Sequence, residues 1–166
     1  MSEYDWSKFT RRINVKVSPN RIYRAWATQD GLERWFLRLA EFTNTAGEIR
    51  KRDEFIQRDD KYTWLWHGWS DETVEYGIIL KATGQDIIQF SFAKTCTVTV
   101  IIKEDSGETI VELTQENIPL DEKSKVNYHL GCMEGWTFYL ANLKSILEGG
   151  IDLRNKNVNL TKVINA

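Results

Sequence analysis

Apolar and polar positions first alternate along the chain, at Phe9, Ile13, Val15 and Val17, with Arg11 as the charged residue on the apolar phase. This predicts a half-buried strand over residues 8–17. The period then lengthens. Ser18-Pro19 reads as a cap followed by proline at the first helical position, and Ile22, Ala25 and Trp26 keep helical spacing, so a helix is predicted over 21–28. Gln29-Asp30-Gly31 interrupts it, and Leu32, Trp35, Phe36 and Leu39 predict a second short helix. From Glu41 the alternation returns, punctuated by Gly47, Asp59-Asp60, Gly68, Gly84 and Ser106-Gly107. Strands are predicted over 39–43, 61–67, 73–83, 86–92, 95–104 and 109–117, with a hairpin at Ser106-Gly107, while 53–60 fits neither period. Tyr128, Cys132, Trp136, Tyr139, Leu140, Leu143 and Leu147 then recur every three or four residues. They mark one stripe of a long helix reaching from Lys123 or Tyr128 to Glu148.

This order of elements is that of an α+β domain: a curved antiparallel sheet of about six or seven strands gripping a long C-terminal helix, with two short helices after the first strand. Residues 9–148 form its expected core, and 149–166, polar apart from a few aliphatic positions, an expected docking tail. Two features ask for more than core packing. Gly131 and Gly135 lie four apart in the long helix, where each costs about 1 kcal/mol relative to alanine. They either pack closely against a neighbour or shape one wall of a pocket. Tyr62, Trp64 and Trp66 share one strand face, opposite Leu65 and His67, and either fill the core or line a concavity between sheet and helix.

Composition narrows the function. The 166 residues, 42% hydrophobic and 28% charged, suit a single domain with a sizeable core. Interspersed charges netting −2 offer no basic stripe for nucleic acid. No apolar run approaches the roughly 20 residues of a membrane span, and Met1-Ser2-Glu3-Tyr4-Asp5-Trp6 lacks a signal-peptide pattern, so a cytoplasmic location is expected. Cys96 and Cys132 read as small buried hydrophobes rather than as a disulfide or metal framework. His67 and His129 belong to no zinc-binding spacing, and no phosphate loop, dinucleotide fingerprint or nucleophile elbow is present. Neither metal nor cofactor is expected.

The stretch from Val17 to Trp26, the Leu32-Glu33-Arg34-Trp35-Phe36 that follows, and the closing helix from Gly135-Trp136 through Leu143-Lys144 to Leu147-Glu148 carry a resemblance. Over roughly residues 9–148 the chain resembles the START-like (SRPBCC, helix-grip) superfamily, and within it the branch named after the activator of heat-shock-protein 90 ATPase. The resemblance implies a deep cavity between helix and sheet that holds lipids, sterols, polyketides or similar molecules. On that reading Trp35, Phe36, Trp64, Trp66, Phe90, Met133 and Trp136 are the candidate wall residues. Two other readings stand beside it. One is a cyclase- or hydrolase-like enzyme using His67, Glu75, Glu112 or His129 as general acid or base. The other is an interaction domain for a chaperone partner, which calls for an exposed apolar patch. A two-fold homodimer is also an expectation, because sheet edges need cover.

Overall fold

Alternating side chains produce seven strands: β1 (Phe9–Asn14), β2 (Leu39–Thr43), β3 (Lys61–Leu65), β4 (Val74–Ala82), β5 (Ile87–Phe92), β6 (Cys96–Asp105) and β7 (Glu108–Glu116). They form one antiparallel sheet in the order β1-β7-β6-β5-β4-β3-β2, so each consecutive pair from β2 to β7 is a hairpin neighbour and β1 closes beside β7. The structure, a computed structural model, describes residues 3–164. One face of the sheet carries the core, with Val111 and Leu113 of β7, Val98 and Val100 of β6, Ile88 and Phe90 of β5, and Tyr62 and Trp64 of β3 all buried. Arg11 breaks the alternation of β1 for a reason visible in space: its Nε donates to Thr137 Oγ1 on the long helix at 3.1 Å.

Two short helices, α1 (Pro19–Ala27) and α2 (Gln29–Trp35), follow β1. Pro19 occupies the start of α1 as expected, but Ser18 makes no side-chain cap bond. The second helix begins three residues earlier than the pattern predicts. Thr28 is its N-cap, accepting the Gly31 N–H at 2.9 Å while donating to the Arg24 carbonyl at 2.9 Å. Gly31 therefore lies inside α2 rather than between the helices. A β-carbon there would sit 2.2 Å from the Arg24 oxygen and 2.8 Å from the Ala25 α-carbon, so only glycine allows α1 and α2 to touch. At its other end α2 stops at Trp35, and Leu39 joins β2. The ambiguous 53–60 segment is an irregular loop pinned by the buried Asp60, whose carboxylate accepts from the Arg50 guanidinium and from Gln57 N at 2.8 Å.

The long helix has the expected span but not the expected winding. It runs through α3 (Glu122–Ser124), a π-helical stretch (Lys125–Gly131) and α4 (Cys132–Leu147) without a break. Gln115, fully buried on the inner face of β7, bridges the change of pitch. Its Nε2 donates to the Tyr128 carbonyl at 3.0 Å and its Oε1 accepts from Trp136 Nε1 at 2.9 Å. A carbonyl held by a strand side chain is drawn away from the usual helical partner, which favours the wider turn. Among the described residues no helix is long and apolar enough to cross a membrane.

The segment after α4 folds back onto α2. Arg154, only 8% exposed, donates to the carbonyls of Glu33, Arg34 and Leu37 at 3.1, 2.8 and 3.1 Å, and to both oxygens of Asp152. The Glu33 and Arg34 carbonyls are orphans of the α2 C-terminus, where a cation also complements the helix dipole, and Leu37 lies just beyond it. Asn142 completes the joint by donating to the Trp35 carbonyl at 2.6 Å and accepting from Leu153 N at 2.8 Å. Asn165 and Ala166, the last residues of the expected tail, lie outside the described residues.

Candidate functional site

Where the first turns of the long helix stand off from the β3–β4–β5 end of the sheet, they leave a cleft of about 600 Å³. The helix contributes Asn127 and Tyr128 from the π-helical stretch and Cys132, Gly135, Trp136 and Tyr139 from α4. Facing them are Phe36 just after α2, Trp66 and Trp69 from the β3–β4 turn, Thr73, Val74 and Glu75 at the start of β4, and Phe92 at the end of β5. Ile164 lies at the rim. Clefts of roughly 300–1,000 Å³ lined by aromatic residues with a few polar groups are the usual form of small-molecule sites.

The two glycines do different things. No atom lies within 4 Å of where a Gly135 β-carbon would be, so that position opens onto the cleft. Gly131 is solvent-exposed in the π-helical stretch and lines nothing; the nearest atom to its missing β-carbon is the Val126 oxygen at 3.4 Å. The close neighbour expected for both is absent. The pocket-wall alternative describes Gly135 alone.

The aromatic residues divide likewise. Phe36 is the joint between core and cleft, with ring centroids of Trp35, Trp64, Trp136 and Tyr139 at 5.2, 5.5, 5.0 and 4.9 Å. Of the seven candidate wall residues, Phe36, Trp66 and Trp136 line the cleft. Trp35, Trp64 and Phe90 do not; they are fully buried in the solid core. Trp35 turns toward α1, donating its indole N–H to the Ala25 carbonyl at 3.0 Å, while Trp64 stacks on Tyr62 at 3.9 Å with Phe90 edge-on at 5.1 Å. Met133 packs against the core from outside the cleft. Tyr128, Cys132 and Tyr139 were visible in the sequence as the stripe that carries Trp136, but were not singled out as wall residues. Trp69, Phe92 and Ile164 gave no such signal, since they follow or end the alternating runs. Cys132 also departs from expectation: it is only partly buried and faces the cleft, whereas Cys96 is buried.

Four groups were candidates for acid–base work, and only Glu75 reaches the cleft. Its Oε1 accepts the Ala93 N–H at 2.9 Å, at a β5–β6 turn where Ala93 and Lys94 take positive φ of 46° and 69°. Burial raises its pKa, and the Ala93 bond pulls the other way. Glu112 lies on the opposite sheet face, paired with Arg12 Nε at 3.1 Å and Lys103 Nζ at 2.8 Å. His129 is fully buried and saturated. Its Nδ1 lies 2.9 Å from the Trp6 carbonyl, so it must donate there, and in the neutral ring Nε2 accepts from the Tyr4 hydroxyl at 2.8 Å. His67 lies outside the cleft, and its pKa is lowered by burial and then by Arg154 and Lys156. No two of the four come together. Among the described residues, no group of three or more His, Cys, Asp or Glu side chains could hold a metal ion.

With the fold and cleft defined, solved structures provide the comparison. A Staphylococcus saprophyticus protein solved by crystallography superposes with a TM-score of 0.67 at 19% identity, covering 89% of this chain and 96% of its own. One from Nitrosomonas europaea gives 0.67 at 12% identity, with 89% and 97% covered. The Aha1 dimer from Colwellia psychrerythraea gives 0.62 at 18% identity, with 86% and 97% covered. At these identities the likeness concerns the fold, which is the helix-grip, START-like arrangement. A search of curated proteins finds no match. The family described as "Activator of Hsp90 ATPase homolog 1-like protein" matches residues 16–148, from the approach to α1 through the end of the long helix, and the chain belongs to that family.

Proposed function

We propose that the protein binds a hydrophobic or amphipathic small molecule, lipid-like or polyketide-like, in the cleft between the long helix and the sheet. The observation that carries this reading is Gly135. A helix interior that accepts a penalty of about 1 kcal/mol at a position with open space around it preserves room rather than packing. The aromatic lining supports it, because such walls bury most of a ligand's surface. On this reading the chain is one START-like domain working in the cytoplasm, with Phe36, Trp66 and Trp136 among the wall residues.

A second reading, as a chaperone-cofactor interaction domain, draws on the family and on Val126 and Leu130, which stand 58% and 43% exposed one turn apart on the long helix. A homodimer fits either reading: the relative from Colwellia psychrerythraea is described as a dimer, and β1 and β2 form the sheet edges here. An enzymatic role has less support, since His67, Glu112 and His129, the other candidates for acid–base work, do not line the cleft with Glu75. Native mass spectrometry of protein purified without detergent, followed by solvent extraction, tests the leading reading. A co-purified apolar molecule, or saturable binding of a neutral solvatochromic dye weakened by Trp136→Ala, is expected. Protein that arrives empty and gives no saturable dye signal would sink it.

A further inference from the structure

Glu75 is the charged residue among those lining the cleft, and every described group around it is neutral or aromatic. One carboxylate oxygen is held by Ala93 N, and among the described residues it forms no ion pair. Burial, and then the charge of Glu75, push up the Tyr62 phenol; burial also pushes up the Cys96 thiol, against a bond from Gln115 and with a smaller push from Glu75, and burial chiefly drives the Cys132 thiol to about 11. A ligand that fills this cleft strips water from a carboxylate whose second oxygen, among the described residues, accepts no hydrogen bond. That is costly unless the ligand supplies a donor or a positive charge. Trp66, Trp69, Phe92 and Trp136 line the same cleft as Glu75, and aromatic ring faces are electron-rich and attract cations.

Resting on the binding reading above, we infer that the cleft selects a cationic amphiphile, an organic ammonium head bonded to Glu75 and flanked by indole faces, with an apolar tail along the long helix. The ammonium hydrogens donate to the free carboxylate oxygen. A carboxylate-headed molecule such as a fatty acid meets like charge in the same place and is disfavoured. The raised pKa of Glu75 fits this chemistry, because a bound cation would favour the ionised form that burial opposes.

The test is a displacement series with the neutral dye N-phenylnaphthylamine, using decylamine, decanol and decanoate below their micellar concentrations at neutral pH. Decylamine should displace the dye at a concentration roughly tenfold below that of decanol, and decanoate should be the weakest. In Glu75→Gln the amine's advantage over the alcohol should collapse. If decanoate matches or exceeds decylamine in the unaltered protein, or if the amine keeps its advantage in Glu75→Gln, the cationic preference is wrong while the binding reading stands. If neither the dye nor any of the three binds, the binding reading fails and the preference falls with it. The ranking in the unaltered protein decides the matter even if Glu75→Gln folds poorly.

Discussion

Gly135 is where stability and room trade against each other most plainly. Its missing β-carbon would touch nothing, so Gly135→Ala should stabilise the fold by about 1 kcal/mol, raising the melting temperature by roughly 2–4 °C in a chain of this size. Gly135→Leu should keep the fold and block the cleft, seen as loss of dye binding with an unchanged far-UV spectrum. Arg154 is the opposite case, a buried cation satisfied by three backbone carbonyls at and just past the end of α2 and by Asp152. Arg154→Ala should cost about 3 kcal/mol or more, read from the urea midpoint, because it strands those carbonyls and leaves the Asp152 carboxylate to Lys156 and Asn142. The pH dependence follows from the same pair. Burial would raise the Asp152 pKa, but the bonds from Arg154 and Lys156 outweigh it and hold it well below the usual carboxylate range. A depressed folded pKa contributes stability above the unfolded value of about 4 that is lost as pH falls through the folded one. The unaltered protein should therefore weaken in acid below about pH 4, and Arg154→Ala should show a shallower decline. Glu75 has the reverse sign. Its raised pKa makes its contribution greatest at low pH and diminishing as pH rises through the folded value, so Glu75→Gln should be the more stable form at neutral pH.

At the scale of elements, strands and the long helix were legible because periodicity reports which face is buried. The ends were less so, for physical reasons that lie off the local sequence. Gly31 reads as a break until the contact it permits with Arg24 and Ala25 is seen. The π-helical stretch Lys125–Gly131 is held by Gln115, which belongs to another element and donates to the Tyr128 carbonyl. Alternation gives Trp64 and Trp66 one face, yet β3 ends at Leu65, and Trp64 is solid core while Trp66, just past the strand, is cleft wall; alternation tells neither where a strand stops nor how far the opposing helix stands away. The helix side of the cleft was therefore readable from its stripe, and much of the sheet side was not. Gln115 offers the test of this coupling. Gln115→Leu strands both the Trp136 indole N–H and the Tyr128 carbonyl, at about 1–3 kcal/mol each, and should lower the urea midpoint while shifting tryptophan emission. An unchanged midpoint and spectrum would show that the bridge does not set the helix against the sheet.

Across the whole molecule, the seven-stranded sheet supplies a solid aromatic core at one level and leaves the cleft at another. The tail, docked through Arg154 on α2, brings Ile164 to the rim of that cleft. The division is measurable because seven tryptophans are spread across it. Trp66, Trp69 and Trp136 line the cleft, Trp26, Trp35 and Trp64 are enclosed in the core, and Trp6 lies beside the π-helical stretch with Lys125 over its ring. A two-dimensional NMR titration that follows the indole N–H signals while decylamine is added tests the account directly. Saturable shifts of Trp66, Trp69 and Trp136, with Trp6, Trp26, Trp35 and Trp64 unmoved, are the expected result. Shifts confined to Trp6, or no shift in any indole at concentrations that saturate the dye assay, would contradict it.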